Sequence, residues 1–139
     1  MRPQAALDTS ALMSVALKEA DRLRYHGALL AYQPVMSLAT RVEVEVVARR
    51  KLGPAGPRLA ATLLGDYGVT FAPLDERQTA IALDAMDCYG KGRGAEPAAL
   101  NYGDLFSYAL AKARGLPLLY KGDDFARTDI RSALAELGG

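Results

Sequence analysis

Short apolar segments alternate along this chain with longer stretches of helical periodicity, and turn residues separate them. The apolar segments are Gln4-Ala5-Ala6-Leu7-Asp8, Pro34-Val35-Met36-Ser37, Val69-Thr70-Phe71-Ala72 and Leu118-Leu119-Tyr120. Their lengths suit strands, and the intervening stretches suit helices. Such alternation builds a mostly parallel sheet with helices on both faces. The expectation is an α/β chain: one three-layer α/β/α domain over residues 1–139, with a short, mostly parallel central sheet.

The punctuation sets the helix limits. Asp8-Thr9-Ser10 starts a first helix that the spacing of Leu12, Val15, Ala16 and Leu23 carries to about Tyr25, with Gly27 as its breaker. A second helix runs from about Leu38 to Leu52 and stops at Gly53-Pro54, and a third spans roughly 57–66. Asp75 caps a fourth that reaches about Tyr89. Residues 90–103 hold four glycines and a proline, which argues for a loop. The next helix starts near Asp104 and ends at Gly115, with Pro117 beyond it. A short helical or irregular tail follows from Phe125.

Composition narrows the function. A chain of 139 residues can bury a real core. Its formal net charge of +1 excludes a strongly basic nucleic-acid coat, though not a local basic patch. One cysteine, Cys88, excludes an internal disulfide and fits a reducing cytoplasm. One histidine, His26, excludes sites that need two, and without a cysteine set zinc is disfavoured. His26 lies in a charged segment and reads as a surface residue. The start of the chain lacks the apolar core of a signal peptide, and no apolar run is long enough to span a membrane.

Four acids stand where a parallel fold would gather them: Asp8, Glu43, Asp104, and Asp123 or Asp124. Asp8 and the Asp123/Asp124 pair follow strands, and the carboxyl ends of parallel strands share one edge, where ligands bind. Carboxylates crowded on that edge repel each other, and a hard divalent cation relieves the repulsion. Each acid also has a plainer role. Asp8 and Asp104 can cap helices or complement their dipoles, and Asp123 and Asp124 can form a turn. Glu45 lies between Arg41 and Arg49 on a solvated face. Glu43, with Ala39, Val46 and Val47 at helical spacing, turns inward and needs a partner, either a metal or a buried arginine.

These segments resemble the PIN-domain ribonucleases of the VapC toxin class, from VapBC toxin–antitoxin modules. The matching pieces are Leu7 to Leu12, Pro34 to Ser37 through Glu43, Tyr89 to Arg93, Ala99 to Asp104, and Leu118 to Phe125 through Asp129. They run in family order over nearly the whole chain. The resemblance implies an endoribonuclease dependent on Mg2+ or Mn2+, with Asp8, Glu43 and Asp104 as core acids and Ser10 as a polar neighbour that positions a water. It also implies transfer RNA as a substrate class, a VapB-like antitoxin as partner, and a homodimer. One departure stands out: many family members carry an acid where this chain has Gly122. The fourth acid is then Asp124 or Asp123, and Asp124 is favoured.

Phosphate binding needs cations: Lys91 and Arg93 sit in the glycine-rich loop before Asp104, and Lys121 lies beside the last acids. The GKGRG run lacks the spacing of a P-loop. Arg49-Arg50-Lys51 more simply complements a helix C-terminus. Two other readings compete. One is a catalytically weak PIN-like module that binds RNA or a partner without cutting, which the Gly122 departure keeps open. The other is a phosphatase with Asp8 as nucleophile, which lacks a second aspartate at position 10.

Overall fold

The structure is a computed structural model that describes residues 1–90 and 99–138. Four strands form one parallel sheet: β1 (Gln4–Leu7), β2 (Gln33–Ser37), β3 (Thr70–Ala72) and β4 (Leu118–Leu119), in the order β3-β2-β1-β4. The chain moves outward from β1 to β2 and β3, and β4 then joins on the other side of β1. That reversal leaves a crevice beyond the carboxyl ends of β1 and β4, the place where open parallel sheets bind ligands. Asp8 follows β1 directly, and its backbone N–H donates to Leu119 O at 3.0 Å.

Side chains alternate along β1 because a strand repeats every two residues. Ala5 and Leu7 pack with α1 (Thr9–Ala16), α2 (Arg22–Ala31), α3 (Leu38–Leu52) and α4 (Gly56–Asp66). Ala6 faces the other side, with α5 (Glu76–Tyr89), α6 (Tyr102–Arg114) and Phe125. The short α7 (Ala133–Glu136) adds Ala133 to the first core. Two apolar clusters on opposite faces of one sheet make the three layers that the sequence leads one to expect.

Helix limits follow the capping chemistry. Ser37 caps α3, Asp75 caps α5, and α3 stops at Gly53. The structure corrects the first helix. Instead of one helix to Tyr25 there are two, divided by Lys18 in a left-handed conformation (φ 54°). Gly27 does not break the second of these but lies inside it. The inward face of α3 also differs from expectation: Thr40, Val44 and Ala48 are buried, whereas Val46 is 57% exposed. Among the described residues, no helix is long and apolar enough to cross a membrane.

Candidate active site

Asp8 sits where β1 becomes α1, and the carboxylate does two jobs. Oδ2 caps the helix through the Ser10 N–H at 3.1 Å and also accepts from Ser10 Oγ at 2.7 Å. Oδ1 accepts from Ser107 Oγ on α6 at 2.5 Å. Asp8 is only 3% exposed. Burial raises its pKa, and the bonds from Ser107 and Ser10 oppose that rise without cancelling it.

Glu43 enters the same cleft from α3. Oε1 accepts from Thr9 Oγ1 at 2.5 Å. Its pKa is raised by burial, with the Asp8 charge adding to the rise, while the Thr9 bond and the Arg50 charge pull the other way. Asp104 is the third residue of α6. It forms a capping box with Asn101: each side chain accepts from the other's backbone N–H, at 3.0 Å. Burial again dominates, and with the neighbouring Asp8 and Asp124 it pushes the Asp104 carboxyl up to about 8. Asp124 lies beside Asp104 and contributes to that rise.

Asp8, Glu43, Asp104 and Asp124 therefore line one cleft. Asp123 does not line it, and its backbone oxygen accepts from Ala126 N in the turn. Gly122 has φ 100°, a backbone conformation that aspartate rarely adopts. The chain supplies its fourth acid two residues later.

The remaining expected residues fare differently. Ser10 lines the cleft, but its hydroxyl donates to Asp8 and accepts from Lys121 N at 2.9 Å. Those two bonds orient Asp8 and tie it to the start of the turn after β4. Lys121 also lines the cleft, yet its ammonium bridges Glu19 at 2.8 Å and Asp21 at 2.9 Å. The charge expected to meet phosphate is already compensated. Lys91 and Arg93 lie outside the described residues. His26 is exposed, but its Nδ1 is 2.7 Å from the Tyr67 hydroxyl, a partner the sequence does not reveal.

Sequence reasoning missed Thr9, Ser107 and Lys51, all of which belong to the site. Thr9 is the immediate neighbour of Asp8. Ser107 lies one turn from Asp104 on the same face of α6, a spacing that could have marked it. Lys51, in the basic run at the end of α3, lines the cleft.

The donor set is oxygen-only, which suits a hard cation such as magnesium. Buried, mutually repelling carboxyls with raised pKa values are the groups a cation would stabilise. Among the described residues no three acid, histidine or cysteine side chains are already gathered as a ligand set. Hydroxyls and amides hold the acid oxygens instead, and a bound cation would have to replace some of those bonds. On chemistry and placement these residues fit a divalent ion.

Comparisons with known proteins agree with this architecture. The PIN domain matches residues 5–131. A VapC ribonuclease of Mycobacterium bovis is 41% identical over 128 residues, which cover 91% of this chain and 97% of the relative. A ribonuclease VapC of Mycolicibacterium smegmatis is 42% identical over 126 residues, covering 89% and 95%. The crystal structure of the Mycobacterium tuberculosis toxin VapC20, described as cleaving the sarcin–ricin loop, superposes with a TM-score of 0.73. It is 14% identical and covers 91% of this chain and 95% of its own, so it shares the fold. A toxin–antitoxin complex from Klebsiella pneumoniae matches with a TM-score of 0.62 at 23% identity, covering 90% and 92%. With an acid-lined cleft at the switch point of a parallel sheet and relatives matched over nearly their whole length, the chain belongs to the PIN-domain family and, within it, to the VapC ribonucleases.

Proposed function

We propose that this chain is a metal-dependent endoribonuclease toxin that hydrolyses RNA phosphodiester bonds in the acid cleft. One observation carries the reading: Asp8, Glu43, Asp104 and Asp124 share a cleft in which the first three have raised pKa values. Perturbed acids without a cationic partner in a cleft are candidates for function. The whole of 1–139 is read as one PIN domain.

Asp8, Glu43, Asp104 and Asp124 would hold Mg2+ or Mn2+. A divalent ion there supplies charge relief for the phosphate and a more acidic water. The chain's own residues supply orientation. Ser107 and Ser10 fix both oxygens of Asp8, Thr9 fixes Glu43, and the Asn101 backbone fixes Asp104. Such supporting bonds set where the acid oxygens point. Lys51 and Lys121 line the cleft and Lys91 and Arg93 precede Asp104 in sequence; all four are assigned to the phosphates of the RNA, Lys121 by exchanging Glu19 or Asp21 for phosphate. Water attacks phosphorus in line, the P–O3′ bond breaks, the 3′ oxygen takes up a proton, and the downstream fragment keeps a 5′-phosphate.

A VapB-like antitoxin is the protein partner in this reading, and the toxin forms a homodimer. Support comes from relatives that are VapC ribonucleases and from exposed apolar side chains such as Val42, Val46, Leu83 and Met86. Transfer RNA remains the expected substrate class.

The test is cleavage of total RNA by the antitoxin-free protein with Mg2+, with Mn2+ and with EDTA, beside Asp8→Ala. Discrete cleavage that disappears with EDTA and in the variant supports the reading. A 2′,3′-cyclic phosphate product would overturn the in-line water mechanism. A folded, metal-loaded protein that binds RNA but never cuts it would favour a binding module.

A further inference from the structure

Helix α6 places a glycine at its second position, between Tyr102 and the capping Asp104. The backbone does not demand it, because Gly103 is not among the residues with positive φ. Helix propensity alone favours alanine there. The space around it gives the reason. A Cβ built on Gly103 would overlap the Glu43 carboxyl group, striking Oε2 first. Among the described glycines, Gly56 and Gly90 face mainly backbone, and only Gly103 faces an acid.

Glu43 reaches this point from α3, and its other oxygen is held by Thr9. The carboxylate is therefore wedged between the Thr9 hydroxyl and the bare Cα of Gly103. It also lies against the first turn of α6, where the helix dipole favours negative charge. We propose that Gly103 is a positioning residue: its missing side chain is the seat that holds the Glu43 carboxylate in the cleft. The seat deepens the nuclease reading and, where cleavage is concerned, rests on it. An added methyl meets the free end of a flexible side chain rather than a rigid backbone. The fold can absorb it by moving the carboxylate, so the site is lost while the helix is kept.

The experiment compares the full-length wild type with Gly103→Ala, Glu43→Gln and the double variant Gly103→Ala/Glu43→Asp. Three quantities are read: thermal unfolding, binding of Mn2+ alone by calorimetry, and RNA cleavage split into kcat and KM. Gly103→Ala should unfold at the same or a higher temperature. Its Mn2+ affinity and kcat should fall about 10–100-fold, as when supporting groups around a metal ligand are lost, with little change in KM. Glu43→Gln, which keeps the shape and removes the charge, should lose Mn2+ affinity at least as far. In the double variant the shorter aspartate side chain withdraws its carboxylate by one methylene, so part of the Mn2+ affinity should return. Wild-type Mn2+ affinity and cleavage in Gly103→Ala would overturn the seat. So would a lower unfolding temperature with no recovery in the double variant, since that pattern is a packing defect. If the wild type neither binds Mn2+ nor cleaves, the nuclease reading fails, and the 13C shift of the Glu43 carboxyl judges the seat alone. A shift moved by Gly103→Ala supports the seat, and an unmoved one overturns it.

Discussion

The molecule treats its hydrogen-bonded acids in two opposite ways. On the α5–α6 side, Asp129 accepts from Tyr108 Oη and from the Lys112 ammonium. Desolvation works against its charge, but those two bonds outweigh it and hold the carboxyl below the usual range. In the cleft, Asp8 and Glu43 receive hydroxyls, Asp104 receives a backbone amide, and no ammonium or guanidinium is bonded to any of them among the described residues. Their carboxyls are pushed up instead. Asp129 is finished as folded, whereas the cleft is electrostatically incomplete until something positive arrives. Depth divides the two as well: the Asp129 side chain is 42% exposed, whereas Asp8 and Asp104 are buried, so cationic partners and solvent both hold Asp129 ionised.

The sharpest way to break the contrast is to neutralise a cleft acid. Asp8→Asn and Asp104→Asn should each lower cleavage by roughly 100-fold or more, the scale seen when a group stabilising transition-state charge is removed. Stability should move in the other direction. The Asp104 carboxyl rises from 3.8 to about 8 on folding. Below about pH 4 it is protonated in both states and costs nothing. Between those values the unfolded chain is ionised while the folded chain keeps its proton, so stability falls as pH rises, and the loss levels off above about pH 8. Metal-free Asp104→Asn should therefore be more stable than wild type at about pH 8, on the order of 2 kcal/mol, with the gain fading toward about pH 4. Mg2+ should stabilise the wild type and shrink that gap. Denaturant melts near those two pH values, with and without Mg2+, check this. A wild type more stable than the variant at the upper pH without metal would make the cleft an ordinary structural cluster.

The second prediction takes the other side of the comparison. Asp129→Ala leaves the buried Tyr108 hydroxyl without its acceptor, and Tyr108 is 4% exposed. Loss of such a partner costs about 1–3 kcal/mol. Urea melts should show that loss, and cleavage measured below the melting transition should stay within about twofold of wild type. A large fall in kcat with unchanged stability would place Asp129 in the functional class and erase the distinction.

The two regions also differ in how far they could be read from sequence. Alternation of apolar segments with helical stretches is local, as are the Asp75 cap and the stop at Gly53. Those elements of the fold were legible for that reason. The break between α1 and α2 was not. Leu17 to Arg24 looks helical, yet Glu19 and Asp21 are drawn aside by Lys121, about a hundred residues away, and Asp21 also receives Ser14 Oγ at 3.0 Å. A bond of that span leaves no local mark. The cleft divides along the same line. The acids could be read because each sits at an element junction or turns inward from a helix. Their supports, Ser107 and Thr9, are small hydroxyl residues whose importance depends on where β1, α3 and α6 meet. The inward turn of Glu43 was legible, but the buried stripe beside it is Thr40, Val44 and Ala48 rather than the expected valines. The Tyr108–Asp129 bond has no signal in the sequence, because it joins a helix to an irregular tail.

Lys121 falls between the two classes and supports the finest test. Its ammonium is paired like a structural cation, yet it lines the cleft like a functional one. Its pKa is raised by its bonds to Glu19 and Asp21, so it stays charged throughout the working range. Lys121→Gln should leave the backbone N–H to Ser10 intact and Asp8 oriented. If RNA phosphate displaces the two carboxylates, KM should rise by about 3–10-fold with kcat nearly unchanged, the signature of lost uniform binding. The salt dependence of KM should weaken as well, because one phosphate contact is gone. Should kcat fall while KM holds, the ammonium acts through the Glu19–Asp21 turn on the geometry of the acids. Unchanged kinetics with a small loss of stability would make Lys121 the same kind of group as Lys112. The partners a charge has in the folded protein would then decide its class, even inside the cleft.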